Sequence, residues 1–330
     1  MKLRRTVEMM KPMINQEIYN LINDSMHIAL AVHTNPDGDA IGACTALALV
    51  LEKMGKKPII LMKDIPDKYN FIHGKELIYD EYPDNLPLEL FIALDCGDKE
   101  RIGEYISIFD TAKITINIDH HITNPKYADY NLVNSNASST CEIIYELIKD
   151  WGLSLDKEIA SSLYTGIAFD TGGFKHNNTS SFTHKIIADL LTYNINFTDI
   201  MNKLFFSRSL SATKLLAYAL NKMELYQNNQ LSICTLDKKE LEKFDAKNFD
   251  TEGIISFMKN TEGVLIACLL YEKSENEIKV SFRSSDNIDI SVIAQIFGGG
   301  GHKKAAGCTI NKTIIEAKDE VINTILKELF

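Results

Sequence analysis

Apolar residues in the first part of the chain fall into short runs, and stretches of helical period separate them. HIALAVH (27–33), KPIILM (57–62), LELFIALD (88–95) and AKITINID (112–119) read as buried strands, the last rich in β-branched residues. Between the first two, AIGACTALALVLEKMG places Ile41, Cys44, Leu47, Leu51 and Met54 at helical spacing, with Gly55 as its stop. SSTCEIIYELIKDWG and KEIASSLYTGIAFD read as helices, the first capped by serines. Strands alternating with helices predict an α/β fold: a parallel sheet covered by helices on both faces.

The pattern then changes. Residues 183–222 are mostly helical and carry no cluster of metal-seeking groups. Beyond them MELYQNNQLSICTL reads as a hairpin turning at Gln227–Gln230, GVLIACLLYEK and NEIKVSFRSS as strands, and 289–297 as a helix ahead of a GGGG run and a final helix. The expected organisation is an N-terminal parallel-sheet domain over 1–195, a helical connector over 196–220 and a smaller α/β domain over 221–330.

Composition narrows the function. The 330 residues are 45% hydrophobic, enough for more than one core. A net charge of −10 argues against coating long nucleic acid, which needs a broad basic surface, but allows a small anion held by a few cations. Six cysteines without a C-x-x-C pair fit reduced, buried thiols in a cytoplasm rather than a disulfide scaffold or zinc ribbon. The basic start reads as an exposed amphipathic helix, and no stretch approaches the roughly 18 apolar residues of a membrane span.

Candidate chemistry sits where the apolar runs stop. AVHTNPDGDA, IALDCGD and INIDHH end in groups that bind hard cations, and Asp170 ends the helical GIAFD. In parallel α/β sheets the carboxyl ends of strands share one edge, so these sequence-distant residues converge. Pro36 and Gly38 shape a turn that brings His33, Asp37 and Asp39 towards one centre, and a helix starting near Ala40 aims its N–H groups at an anion there. Carboxylate and imidazole without thiolate suit Mn²⁺ or Mg²⁺, or Fe²⁺ or Co²⁺, better than structural zinc. Two cations about 3.5–4 Å apart would activate a water and neutralise a phosphoryl oxygen, which is phosphoester hydrolysis.

NPDGDAIG, LDCGD, IDHH and FDTGGF, in that order, resemble the four motifs of the DHH phosphoesterases, and FGGGGHKKAAG (297–307) resembles the signature of the DHHA1 domain. The resemblance covers both halves of the chain and is closest to the stand-alone bacterial nano-RNA phosphodiesterases that also act on 3′-phosphoadenosine 5′-phosphate. It implies two divalent cations, Mn²⁺ first among them. His33 and Asp37 would hold one, Asp39, His120 and Asp170 the other, and Asp95 both. His121 would face the substrate, Asp119 would orient His120, and Asn124 would fix the loop. Arg283, Gly299, Gly300, Gly301 and His302 would grip a phosphate or base, the glycines as a backbone cradle. Gly173 departs from relatives with a basic residue there, which removes one expected substrate contact.

The implied substrates are di- to pentanucleotides of RNA and small nucleotides; long nucleic acid and membranes are not expected partners, and a homodimer is allowed. Two rivals remain open on the residues. A pyrophosphatase or exopolyphosphatase would share the four motifs but lack the glycine–histidine loop, and a non-catalytic nucleotide sensor would have lost ligands.

Overall fold

The computed structural model describes residues 2–83, 85–245, 251, 253–285 and 287–330, with side chains from Met13 on. The chain divides into two units, Met1–Ser207 and Arg208–Phe330, so the division falls inside the stretch read as a connector.

In the first unit six strands form one sheet: β1 (His27–Ala31), β2 (Lys57–Leu61), β3 (Ile78–Tyr79), β4 (Leu90–Leu94), β5 (Ile114–Asp119) and β6 (Tyr130–Val133). Their order is β3-β2-β1-β4-β5-β6 and all five pairings are parallel. The four apolar runs are β1, β2, β4 and β5; the short edge strands β3 and β6 were not foreseen. Alternate residues serve different layers, so β1, β2 and β4 are apolar on both faces, whereas β5 backs Ile114, Ile116 and Ile118 with Thr115, Asn117 and Asp119. Ile28, Leu30, Ile60, Ile92 and Ile118 lie in the core shared with α2 (Gly38–Lys53), α4 (Thr140–Asp150) and α5 (Lys157–Asp170). Ala29, Ala31, Leu61, Phe91 and Ala93 pack on the other side, with Phe109 of α3 (Ile106–Thr111). From Met13 on, the first helix, α1 (Lys2–Asp24), is amphipathic: Ile18 and Ile22 are fully buried in the former core, and most other positions are exposed or half-buried. Helices α6 (Ser181–Leu191) and α7 (Phe197–Met201) pack on α5.

This strand order reverses direction between β1 and β4, and a sheet of this kind opens its crevice at that point. Register makes the strands end together: Ala31 pairs with Ala93, and Leu94 with Ile118. The residues after β1, β4 and β5 therefore emerge side by side.

The second unit begins with α8 (Leu210–Lys222). Its sheet combines β7 (Glu224–Tyr226), β8 (Leu231–Leu236), β9 (Ile266–Ser274), β10 (Glu277–Ser284), β11 (Gly300–His302) and β12 (Ala305–Ile310) in the order β11-β12-β10-β9-β8-β7. Only β8 and β9 pair in parallel, and α9 (Lys238–Lys243) and α10 (Ile254–Lys259) lie in the connection between them. β7 and β8 are the expected hairpin. Ile278, Val280, Phe282, Ala306 and Cys308 pack beneath α11 (Ser291–Ile296) and α12 (Ile314–Leu329). On the opposite face of β10, Lys279, Ser281 and Arg283 are half-buried. All six cysteines are free and buried, and among the described residues no helix is long and apolar enough to cross a membrane.

Candidate metal centre

His33 lies two residues beyond β1 and is buried. Its Nδ1–H donates to the Thr34 carbonyl at 2.9 Å, which fixes the tautomer and leaves Nε2 as a donor for a cation. Nε2 stands 3.6 Å from Asp95 Oδ2 and 3.8 Å from Asp37 Oδ2. Asp37 caps α2: its Oδ1 accepts from the N–H groups of Asp39 (3.0 Å) and Ala40 (3.2 Å). The helix N-terminus expected to receive an anion is thus partly occupied by the protein's own carboxylate, which leaves Oδ2 facing His33.

Asp95 follows β4 in the left-handed region (φ 56°), and its N–H donates to Ile118 O at 3.0 Å across to β5. Its Oδ1 accepts from Thr140 Oγ1 at 3.0 Å and lies 3.6 Å from His120 Nε2. The same His120 nitrogen is 3.1 Å from Oδ2 of Asp170, the last residue of α5. Asp39 is fully buried, with Oδ2 accepting from Thr140 N (2.6 Å) and Oδ1 from Cys141 N (2.9 Å). Helix α5 passes so near that a Cβ on Gly166 would sit 2.6 Å from Asp39 Oδ1. The six expected ligands thus come together in two groups, His33/Asp37/Asp95 and Asp39/His120/Asp170, each with donor atoms within 4.8 Å of one another.

Asp119 corrects one expectation. It bonds His121 Nδ1 at 2.7 Å, not His120. Alternation along extended chain puts residues two apart on one side, so Asp119 shares a side with His121 rather than with its immediate neighbour. Asn124 Nδ2 lies 2.6 Å from Asp119 Oδ2, 2.7 Å from Asn117 Oδ1 and 3.2 Å from Cys96 O, so it ties this loop to the one carrying Asp95.

The electrostatics show what such a cluster needs. Burial, then the Asp95 and Asp170 charges, push Asp37 and Asp39 above the usual carboxylate range. Burial and Asp95 do the same to Asp170 against the pull of His120. Burial lowers the His120 imidazole, but Asp170, Asp39 and Asp95 outweigh it and carry it up to about 10. Asp119 holds His121 above its usual value, and burial of Asp119 is outweighed by His121 and Asn124, which keep its carboxyl low. Asp37 and Asp39 also hold helix ends, but four converging carboxylates that repel one another are costly without a cation and make a good receptor for divalent ions. An oxygen and nitrogen donor set fits hard or borderline ions.

A model of the DHH family, N-terminal domain, matches residues 27–167, and a DHHA1 domain model matches 229–329. The bifunctional oligoribonuclease and PAP phosphatase NrnA of Thermus thermophilus is 30% identical over 92% of this chain and 90% of its own length. The chain belongs to the DHH family. Members of this family are metal-dependent hydrolases of phosphoester and phosphate bonds. The NrnA protein of Bacillus subtilis is 29% identical over 86% of this chain and 89% of its own. Among solved structures, an exopolyphosphatase-related protein from Bacteroides fragilis superposes with a TM-score of 0.89 at 29% identity, covering 95% of this chain and 96% of that one.

In the DHHA1 domain, Arg283 lies on β10 with Nη1 donating to Phe282 O at 3.0 Å, and His302 is exposed. The glycine run is not a free loop. Gly300–His302 pairs antiparallel with 305–307, and a Cβ on Gly299 would lie 2.2 Å from Gly307 O, one on Gly301 2.5 Å from Ala305 O. Close strand pairing therefore accounts for those two glycines, while Gly300 borders open space. Sequence reasoning missed Thr140, Asn117 and Tyr127. Thr140 binds Asp95, and the other two donate to the Cys96 carbonyl beside it.

Proposed function

We propose that this DHH protein hydrolyses phosphoester bonds in di- to pentanucleotides of RNA, linear dinucleotides included, and in 3′-phosphoadenosine 5′-phosphate, with two divalent cations and Mn²⁺ as the best. The observation that carries this reading is Asp95, whose two oxygens each stand 3.6 Å from Nε2 of a different imidazole, His33 and His120. His33 and Asp37 would hold one cation, Asp39, His120 and Asp170 the other, and Asp95 both. When bound, such a pair supplies a water ionised near neutral pH and neutralises phosphoryl oxygens. The remaining roles belong to the chain. Asp119 orients His121 through Nδ1 and leaves Nε2 for the scissile phosphate or the leaving oxygen. Arg283 and His302 take a second phosphate or a base, and Gly300 offers its open backbone. The net charge of −10 disfavours long strands. The two NrnA relatives, similar along nearly their whole length, support the substrate class.

The test compares rates on a labelled dinucleotide, a long RNA strand, 3′-phosphoadenosine 5′-phosphate and inorganic polyphosphate, with Mn²⁺ and with chelator. The dinucleotide and the bisphosphate nucleotide should be turned over far faster than the long strand, and only with metal. Faster turnover of polyphosphate would replace this reading with the exopolyphosphatase one, which the name of the B. fragilis neighbour favours.

A further inference from the structure

The first turn of α4 brings a hydroxyl to the centre that none of the family's four motifs contains. Ser139 caps the helix, accepting from Glu142 N at 3.1 Å, and Asp39 accepts the N–H groups of Thr140 and Cys141. The helix end is satisfied without the Thr140 side chain. Its hydroxyl instead donates to Asp95 Oδ1 at 3.0 Å, with both residues buried.

That bond has a specific consequence. The last torsion of an aspartate is broad, so a carboxylate left alone would sample many orientations. A donor fixed on one oxygen selects the one in which Oδ1 faces His120 and Oδ2 faces His33. The donor is itself anchored from elsewhere. Ser138 and Thr183 donate to Glu142 Oε2 at 2.6 and 2.8 Å, and Asn178 Nδ2 donates to Ser138 O at 2.9 Å. The hydroxyl's place is therefore set by α4, α6 and the loop after Asp170 rather than by the ligands it serves.

We infer that Thr140 is a positioning residue: its hydroxyl, held by the first turn of α4, orients the Asp95 carboxylate so that it can serve two cations at once. This rests on the paired-cation reading above and extends it to a residue that touches neither cation nor substrate.

The experiment titrates Mn²⁺ into chelator-treated wild type, Thr140→Val and Thr140→Ser, reading free Mn²⁺ by electron paramagnetic resonance, with kcat and KM on a dinucleotide alongside. Wild type should bind two ions per chain. Thr140→Val keeps the backbone bonds to Asp39 and should weaken the second ion by about tenfold or more, the usual effect of losing a partner of a metal ligand. Its kcat should fall while KM stays within about twofold, and Thr140→Ser should restore both affinity and kcat. Wild-type affinity for both ions in Thr140→Val, or no rescue by serine, overturns the inference. Fewer than two ions in wild type overturns the paired-cation reading, and this inference with it. Melting of the metal-free variants checks folding, and Thr140→Ala replaces the valine variant should that one not fold.

Discussion

The two sheets of this molecule handle charge in opposite ways. In the parallel sheet, Asp37, Asp39, Asp95 and Asp170 share one small volume with His33 and His120, and most are pushed from their ordinary titration ranges by burial and by one another. In the mixed sheet, charges are settled in local pairs: Lys222 with Glu240 at 2.5 Å beside Tyr218, and Lys318 with Glu224 at 2.6 Å beside Tyr226. The first arrangement is costly until cations arrive, and the second is complete as it stands. The clustered carboxylates and these ion pairs therefore serve different ends, and substitutions should separate them.

The largest effect belongs to Asp95→Asn. Asparagine tolerates the left-handed backbone at this position, so the fold is preserved while one of four repelling charges disappears. Turnover should fall by at least about 100-fold, because losing even an indirect partner of a ligand costs up to that much. The metal-free variant should melt no lower than metal-free wild type, whereas added Mn²⁺ should stabilise only wild type strongly, by about 2.7 kcal/mol at a hundred times Kd. Thermal unfolding in chelator and in Mn²⁺ measures both. A clear loss of metal-free stability would mean that the carboxylates support the fold after all.

Next in size is His121→Ala, with kcat reduced by about 10²-fold and Mn²⁺ binding unchanged, since its proposed contact matters as charge develops on the phosphate. Asp119→Asn should reproduce part of that loss, because it weakens the 2.7 Å bond that orients the ring. Steady-state kinetics beside a Mn²⁺ titration decides. Weaker metal binding in His121→Ala would make this imidazole a ligand.

Why some of this was legible in sequence follows from where each signal resides. Strands β1, β2 and β4 are apolar on both faces and leave continuous runs, β5 alternates isoleucine with Thr115, Asn117 and Asp119, and the runs of β1, β4 and β5 stop at ligands. The edge strand Tyr130–Val133 is half-polar and β3 has two residues, too little for a period to register. The ligands announced themselves by standing at the ends of runs. Their supports did not, because Thr140 meets Asp39 across 101 positions and Asp95 across 45. The partner of Asp119 lies within reach of a period-two argument, which selects His121 over its neighbour His120. The packing of the glycine run was not legible because its partners, Ala305–Gly307, lie downstream and leave no mark in the run itself.

On the mixed sheet the proposed anion contact is Arg283, half-buried on the same face as Lys279. Arg283→Ala should raise KM for a dinucleotide by about tenfold, the loss of one charge-assisted phosphate contact, and leave kcat within about twofold. A small artificial phosphodiester should be hydrolysed at the wild-type rate. An equal loss on both substrates would place Arg283 in the chemistry and remove the contrast between the units.

The smallest effect tests the settled charges themselves. Burial raises the Glu240 carboxyl, but Lys222, Tyr218 and the Asp237 N–H outweigh it and hold it below its usual value. A carboxylate depressed on folding contributes stability that is fully present above its unfolded pKa, near 4.3, and is lost as pH falls through the lower folded value. Glu240→Gln should therefore destabilise the protein by about 1 kcal/mol at pH 7, the scale of a partly exposed, hydrogen-bonded ion pair. The difference should shrink steadily below about pH 4 and vanish once the wild-type carboxyl is protonated. Activity with saturating Mn²⁺ at pH 7 should be unchanged, because no ligand is touched. Urea unfolding of the two proteins in chelator, across that pH range, reads the difference directly. A gap that persisted in acid would assign Glu240's contribution to packing or to its capping bond from Asp237 N rather than to its charge.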